Sequence, residues 1–352
     1  MIRLGIIGTG GMANAHARAF GAMRGVAITA CCDVNRARAE AFATRYAIPK
    51  VYDDYTALLD DGRVDAVASV TPDSVHAEVA IAAARRKIHI LSEKPLAGNL
   101  PDARAMAEAV EKAGVINMVN FSYRNSAALQ RASRAVASGQ IGRVMHVESS
   151  YLQSWLAQDA WGDWRTSDTW LWRLSTAHGS LGVLGDVGCH IYDMTALLAG
   201  DIGEIACRLQ TFDKGLGSVH VGPYVLDAND SFVSTVGFVN GAVGTIHSSR
   251  WASGHHNSLR VRVYGDEGAV EVDLDHSYSE YRICRGKANL RKAVWRTVTC
   301  APTPTNYQRF IKAVRTGAPD PSDFANGVKI QAYLHGSLES ASLDSRPVRI
   351  LL

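Results

Sequence analysis

From residue 2 to residue 121, short apolar runs rich in Val, Ile and Ala alternate with runs that suit helices. IRLGII (2–7) reads as a strand and MANAHARAFGAM (12–23) as a helix. VAITACCD (26–33) and NRARAEAFATRY (35–46) repeat the pair, and YTALLDD (55–61) adds a short helix. VDAVASV (64–70), KIHILSE (87–93) and VINMVNF (115–121) read as further strands. Between them lie the helical stretches SVHAEVAIAAARR and LPDARAMAEAVEKAG. Strands this short and apolar, spaced by helices, predict a parallel sheet wound with helices on both faces. Right-handed crossovers then gather the strand C-termini along one edge, where ligands bind in this architecture.

The first turn on that edge carries the chemistry for a dinucleotide. Gly8-Thr9-Gly10-Gly11-Met12-Ala13 fits G-x-G-x-x-[GA], follows a strand and opens a helix. Gly8 permits the tight turn, and Gly10 lets the backbone approach a pyrophosphate. Gly11 and Met12 lead into a helix whose free N–H groups and positive dipole end face the anion. Asp33, at the end of the second strand, can accept hydrogen bonds from the adenosine ribose and would repel a 2′-phosphate, so NAD is favoured over NADP. Arg36 can partly offset that repulsion. Asp33 can also serve as an N-cap for the helix beginning near Asn35.

Two other strand ends share the edge. Thr71-Pro72 breaks the chain after VDAVASV, with His76 on the helix that follows, and Ser92-Glu93-Lys94-Pro95 closes KIHIL. A proline disfavours a helical residue before it, which holds Lys94 extended with its ammonium projecting from the ligand edge. Far downstream, LGDVGCHIYD (184–193) places Asp186 and His190 one helical turn apart. That pair suits proton handling, half a metal site, or a capped helix with a buried histidine.

Composition narrows the classes. At 352 residues, 47% hydrophobic and 20% charged, the chain has room for two ordinary globular domains. A net charge of +3 without a basic block argues against a nucleic-acid surface, and no apolar run approaches the roughly 20 residues of a membrane span. The strand pattern beginning at Ile2 leaves no room for a signal peptide, and the six scattered cysteines read as reduced, mostly buried thiols. The expected location is cytoplasmic. No metal is expected, because Cys189 points elsewhere on a helix and no H-x-x-x-H or C-x-x-C completes a ligand set.

With these stretches in view, the chain resembles the glucose–fructose oxidoreductase, inositol dehydrogenase and MocA family of NAD(P)-dependent oxidoreductases. The resemblance covers essentially the whole chain and rests on GIIGTGGMA (5–13), TPDSVH (71–76), SEKPLAGN (92–99) and LGDVGCHIYD (184–193). It implies a cofactor site that includes Thr71, Pro72, His76 and Glu93. It also implies that Lys94 lies by the nicotinamide and the substrate, and that Asp186 and His190 meet it from a second domain. Phe121-Ser122-Tyr123-Arg124-Asn125-Ser126 departs from the family pattern, where an aromatic after the arginine and a nearby proline are expected. Residues of this segment, Ser122 and Tyr123 among them, help shape the pocket in relatives, so the departure bears on the substrate.

After residue 121 the pattern changes. A helix, ALQRASRAVASG, leads to the strand VMHVESSYLQSW, and the Asp/His helix is followed by alternating runs such as DSFVSTVGFV, GAVGTIHSSRW, LRVRVYG and GAVEVDL. Turns at Asn240-Gly241 and Gly265-Asp266 predict hairpins. The expected fold is thus α/β overall: a Rossmann domain over 1–121 and an α+β domain over 122–352 with a large, mostly antiparallel open sheet. In relatives such a sheet leaves one face for another subunit, so a homodimer or homotetramer is expected. NYQRFIKAVRTG (306–317) and ANGVKIQAYLHGSLESA (325–341) read as closing amphipathic helices.

Five of the seven tryptophans fall between 155 and 172. Their faces can stack on sugar rings or fill core. Trp172, Arg173 and, more weakly, Gln153 are candidate substrate contacts. The implied reaction is hydride transfer between nicotinamide and a secondary alcohol carbon of a sugar or cyclic polyol. His190 would be the acid/base, Asp186 its partner, and Lys94 the group that polarises the reacting oxygen. Two other readings stay open: a glycoside hydrolase that oxidises and resets one carbon with held NAD, and a non-enzymatic dinucleotide-binding regulator.

Overall fold

The structure, a computed structural model, describes residues 1–351. The chain forms two compact units, Met1–Ser122 with Pro304–Gln331, and Tyr123–Thr303 with Ala332–Leu352.

In the first unit the elements run β1 (Ile2–Ile7), α1 (Ala13–Gly21), β2 (Val26–Cys32), α2 (Arg36–Tyr46), β3 (Lys50–Tyr52), α3 (Tyr55–Asp60) and β4 (Ala66–Ser69). They continue as α4 (His76–Arg85), β5 (His89–Ser92), α5 (Leu100–Ala113) and β6 (Asn117–Val119). The strands pair in the order β3-β2-β1-β4-β5-β6, every pair parallel. This is the doubly wound order, and its direction reverses between β1 and β4. There the two turns touch. Gly8 has φ +89°, and a Cβ on it would stand 2.4 Å from the Val70 carbonyl oxygen, so any side chain would part the two strands. Local signals set the helix ends. Asn99 caps α5 by accepting from the Asp102 N–H at 2.9 Å, and Gly114 ends it in the left-handed region.

The core under this sheet is built from Leu4, Ile6, Phe20, Leu91 and Met118, all fully buried. Phe310 and Ile311 complete it from residues that follow the second unit in sequence.

The second unit begins with α6 (Ala127–Ala137), β7 (Val144–Gln153), the short α7 (Asp168–Leu171) and α8 (Cys189–Ala199). Then come β8 (Ile202–Gln210), β9 (His220–Val221), β10 (Tyr224–Val225), β11 (Ser231–Phe238), β12 (Val243–Ser249), β13 (Asn257–Gly265), β14 (Gly268–Asp273) and β15 (Glu280–Arg285). A helical turn α9 (Lys287–Arg291) and β16 (Arg296–Thr299) follow. Two helices close the chain, α10 (Asn306–Thr316) and α11 (Phe324–Ser342), before β17 (Val348–Arg349). A Thr305/Gln308 capping box opens α10 and Gly317 ends it.

Nine strands form one sheet in the order β16-β15-β14-β13-β7-β12-β11-β8-β17, with β9 and β10 apart as a two-stranded ribbon. Every pair in it is antiparallel except β12 with β7. The hairpins expected at Asn240-Gly241 and Gly265-Asp266 join β11 to β12 and β13 to β14. One face packs on α6 and α8. Alternation on β11 and β12 turns Val233 and Val243 to the other face, where both are more than half exposed. All six cysteines are free and buried. Among the described residues no helix is long and apolar enough to cross a membrane.

Candidate active site

At the end of β1 the backbone of Gly10 and Gly11 lies open, with no atom within 4 Å of where a Cβ would stand on either. The neighbouring carboxylate of Asp33 is buried. Its Oδ2 accepts from the Thr9 N–H and hydroxyl, both at 2.8 Å, and its Oδ1 from the Asn35 N–H at 2.9 Å. Burial alone would raise the Asp33 pKa. The Arg38 guanidinium, donating at 2.9 and 2.6 Å, outweighs this together with those N–H and hydroxyl donors, and holds the carboxyl at about 2. An open glycine backbone beside an ionised carboxylate fits the diphosphate and ribose of a dinucleotide.

Two sequence assignments shift here. The arginine on Asp33 is Arg38, while Arg36 donates to Glu40 at 2.8 Å. Asn35 caps α2, accepting from the Arg38 N–H at 3.0 Å, and Asp33 stands just outside the helix. Met12 caps α1 with its backbone and leaves its side chain half exposed.

At the ends of β4 and β5, His76 is buried, with Nδ1 3.0 Å from the Pro95 carbonyl and Nε2 3.0 Å from the Thr71 carbonyl. It links the turn after β4, Thr71-Pro72, to the turn that holds Lys94. The Lys94–Pro95 peptide is cis. Glu93 points inward: its Oε1 lies 2.7 Å from His16 Nε2 and accepts from Asn120 Nδ2 at 2.7 Å. Asn306 of α10 donates to Asn120 Oδ1 at 3.1 Å. His76 and Glu93 therefore spend their polar atoms inside the first unit, as struts beneath the Lys94 turn.

Burial opposes the Glu93 charge, but the bond to His16, the His16 charge, Asn120 and the Lys94 charge bring its pKa down to about 2. Because the folded value lies below the ordinary 4.5, the stabilisation is fully present above pH 4.5 and is lost as pH falls towards 2. Urea unfolding of Glu93→Gln between pH 7 and pH 3 is expected to give a shallower acid limb than the parent protein. Identical slopes would remove Glu93 from the account.

In the second unit, Asp186 lies in a π-helical turn, Leu184–Gly188, and His190 in α8, which continues it. Such turns recur at functional sites. A Cβ on Gly188 would lie 3.1 Å from the Phe232 ring of β11, so the glycine lets this turn seat closely on the sheet. The carboxylate Oδ2 of Asp186 accepts from Arg250 Nη2 at 3.1 Å and lies 3.5 Å from Arg173 Nε. Arg250 is fully buried, lies 5.0 Å from the Trp155 ring centroid, and donates from Nη1 to the Arg173 carbonyl at 3.0 Å. Behind it, buried Lys214 and Asp230 form a second ion pair at 2.9 Å.

The tryptophan group divides. Trp155 and Trp164 fill a core with Leu156, Leu171, Leu174 and Leu226, and Trp161 and Trp170 pack against it. Trp172 is 38% exposed, with the Arg173 guanidinium 4.7 Å from its ring centroid. One flank of His190 is walled by the Tyr123 ring, edge-on at 4.8 Å between centroids. Tyr123 is fixed by a closed circuit. Its hydroxyl lies 2.6 Å from that of Tyr151, Tyr151 donates to Asn257 Oδ1 at 2.7 Å, and Asn257 Nδ2 donates back to Tyr123 at 2.8 Å. Gln153 joins it, donating to Asn257 Oδ1 at 2.9 Å and accepting from Trp155 Nε1 at 3.2 Å. Burial first, then Tyr123 and Asp186, push the Tyr151 pKa well above its usual value, so Tyr151 keeps its proton.

The residue after Tyr123 forms a buried, bidentate link. Arg124, buried, donates from Nε and Nη2 to the two oxygens of Asp193, each at 2.7 Å. Ser122 opens the same 3₁₀ turn and is half-buried. Arg38, His16, Asn120, Tyr151, Asn257, Arg250 and the Arg124–Asp193 pair all escaped the sequence reading. Of these, only Arg124 and Asp193 lie inside the stretches on which the family resemblance or its departure rests. Among the described residues no three His, Cys, Asp or Glu side chains gather as a metal site.

Residues 2–121 match the model of an oxidoreductase family with an NAD-binding Rossmann fold, and residues 129–271 match a GFO/IDH/MocA C-terminal domain. Levoglucosan dehydrogenase from Pseudarthrobacter phenanthrenivorans is 27% identical, over 98% of this chain and 97% of that protein. A D-xylose 1-dehydrogenase (NADP⁺) from Haloferax volcanii is 30% identical over 87% of each chain. Among solved structures, levoglucosan dehydrogenase in complex with NADH and levoglucosan superposes with a TM-score of 0.87, covering 100% of both chains at 27% identity.

Proposed function

We propose that this chain, which belongs to the GFO/IDH/MocA family of NAD(P)-dependent oxidoreductases, acts on a secondary alcohol carbon of a neutral sugar or cyclic polyol. The observation that carries the reading is the Asp186 carboxylate, held by Arg250 and Arg173 on the turn that leads into His190. A carboxylate held by two arginines can accept hydrogen bonds from substrate hydroxyls, and the imidazole four residues on can take the hydroxyl proton. Arg173 against Trp172 adds a cation beside an indole face that suits the C–H face of a sugar ring. Lys94 would polarise the reacting oxygen and stabilise negative charge on it. When bound, NAD supplies the hydride-accepting nicotinamide. Gly8, Gly10, Gly11, Met12 and the Thr71-Pro72 turn would hold it, with Asp33 for the ribose. We assign dinucleotide binding to residues 1–121, and substrate binding and oligomerisation to residues 122–352.

The test follows reduced-nicotinamide absorbance with NAD or NADP and a panel of inositols, aldoses and anhydrosugars. Turnover with at least one neutral polyhydroxy substrate is expected, with NAD the better cofactor. Asp33→Ala is expected to cut kcat/KM for NAD about 10–100-fold, the loss of hydrogen bonds to a charged acceptor, and to narrow the gap to NADP through Arg38. Silence across the panel would sink the reading and shift weight to a hydrolase or a regulator. Light scattering on the same preparation should give a dimer or tetramer, and a monomeric mass would withdraw the oligomer assignment.

A further inference from the structure

A cleft of about 430 Å³ lies in the second unit among residues given no role above. Its lining comes from α6 and the segment after it (Arg131, Arg134, Ser138, Gln140) and from β15 and β16 with the residues beyond (Tyr281, Val298, Thr299, Cys300). No acidic side chain lines it. Arg131 and Arg134 stand three apart on α6 and so share a face of that helix. Among the described residues, neither forms an ion pair or a side-chain hydrogen bond.

A third arginine joins them by strand register. Tyr281 pairs with Val298, and both line the cleft. Ile283 pairs with Arg296, each two residues away along its strand, so Arg296 rises from the same sheet face and is exposed. It too lacks an acidic partner among the described residues. Arg285, two residues further on β15, donates to Gln140 Oε1 at 2.6 Å, at the cleft's rim. The surrounding sequence sharpens the asymmetry: residues 281–303 carry six Lys and Arg and no Asp or Glu, in a chain whose charges otherwise nearly balance.

Two guanidinium groups lining one concavity, with a third on the same sheet face two residues from the lining Val298, repel one another unless an anion sits among them. Planar donors favour phosphate oxygens, which they meet in bidentate fashion, whereas the Ser138 and Thr299 hydroxyls already donate to the Ala135 carbonyl and to Glu280 Oε1, at 3.1 and 3.0 Å. The volume suits a small molecule. We propose that this cleft is a binding site, separate from the oxidoreductase chemistry, for a small molecule bearing phosphate groups.

The experiment titrates pyrophosphate into the full-length protein by calorimetry at low salt, with Arg131→Gln/Arg134→Gln as the variant. One saturable site per chain is expected, weakened at least about tenfold in the variant, since each hydrogen bond to a charged partner contributes about 1.5–3 kcal/mol. Turnover without pyrophosphate should be unchanged, because neither arginine belongs to the proposed catalytic residues. Arg296→Gln, on a different element, should weaken binding as well and covers the case in which the α6 double variant does not fold. Absence of saturable binding, or binding that both variants leave intact, overturns the proposal. So does binding confined to an oligonucleotide, which would mark a diffuse basic surface in place of a small-molecule site.

Discussion

His190→Ala is expected to lower kcat by about 10²–10⁴-fold while KM for the alcohol changes far less. The reason is local. His190 is buried, its ring is walled on one flank by Tyr123, and Asp186 stands four residues earlier on the π-helical turn that α8 continues. A base in such a setting acts on the proton being transferred, so its loss falls on the chemical step more than on binding. His190→Asn keeps a polar side chain of similar reach without a titrating group, and should be as slow as the alanine variant. The limb of the pH–rate profile due to this residue should vanish in both. Tyr123→Phe separates positioning from chemistry. It keeps the ring that walls His190 but opens the circuit with Tyr151 and Asn257, so a smaller loss is expected. Near-normal turnover in His190→Ala, with a folded protein by thermal unfolding, would remove the residue from the acid/base role and take the proposed mechanism with it.

The legible parts of this chain were those whose physics is local. The doubly wound sheet followed from the spacing of short apolar strands, because a strand buried on both faces needs no partner information to be recognised. The Gly8–Ala13 turn and the hairpin at Asn240-Gly241 rest on left-handed glycines, Gly8 and Gly241, a conformation that few residues tolerate. Charge pairing was opaque. Arg36 was the arginine singled out near Asp33, yet Arg38 takes the carboxylate, because the capped start of α2 decides which side chain reaches back. His76 and Glu93 stand in motifs that suggest cofactor contact, yet both bond inward, Glu93 to a histidine 77 residues away. Arg250 carries no signal in GTIHSSRW, since its partner Asp186 lies 64 positions earlier. Nor does α10 announce its packing. NYQRFIKAVRTG is amphipathic, but its face fits either unit until Phe310 is seen among Leu4, Phe20 and Met118. Such contacts join residues far apart in sequence, and periodicity holds no record of them.

Arg124→Met and Asp193→Asn are each expected to destabilise the protein by about 3–5 kcal/mol, because each leaves its partner's charge buried and unneutralised by the other. Both side chains are almost fully buried, at 4% and 1% exposure, and the pair is bidentate with 2.7 Å contacts. The loss should appear in urea unfolding at neutral pH as a lower midpoint with an unchanged slope. The double variant Arg124→Met/Asp193→Leu decides what the pair is for. Replacing a buried ion pair by apolar groups of similar volume is often neutral for stability, so much of the loss should be recovered. Turnover should not return with it. Arg124 follows Tyr123 in the chain, and Asp193 lies three residues after His190 on α8, so the pair fixes Tyr123 against the imidazole. An apolar contact has no directional bond to set that register. A double variant that regains both stability and full activity would show the pair to be packing alone. Single variants that lose less than about 1 kcal/mol, the range of exposed ion pairs, would mean that water reaches the site.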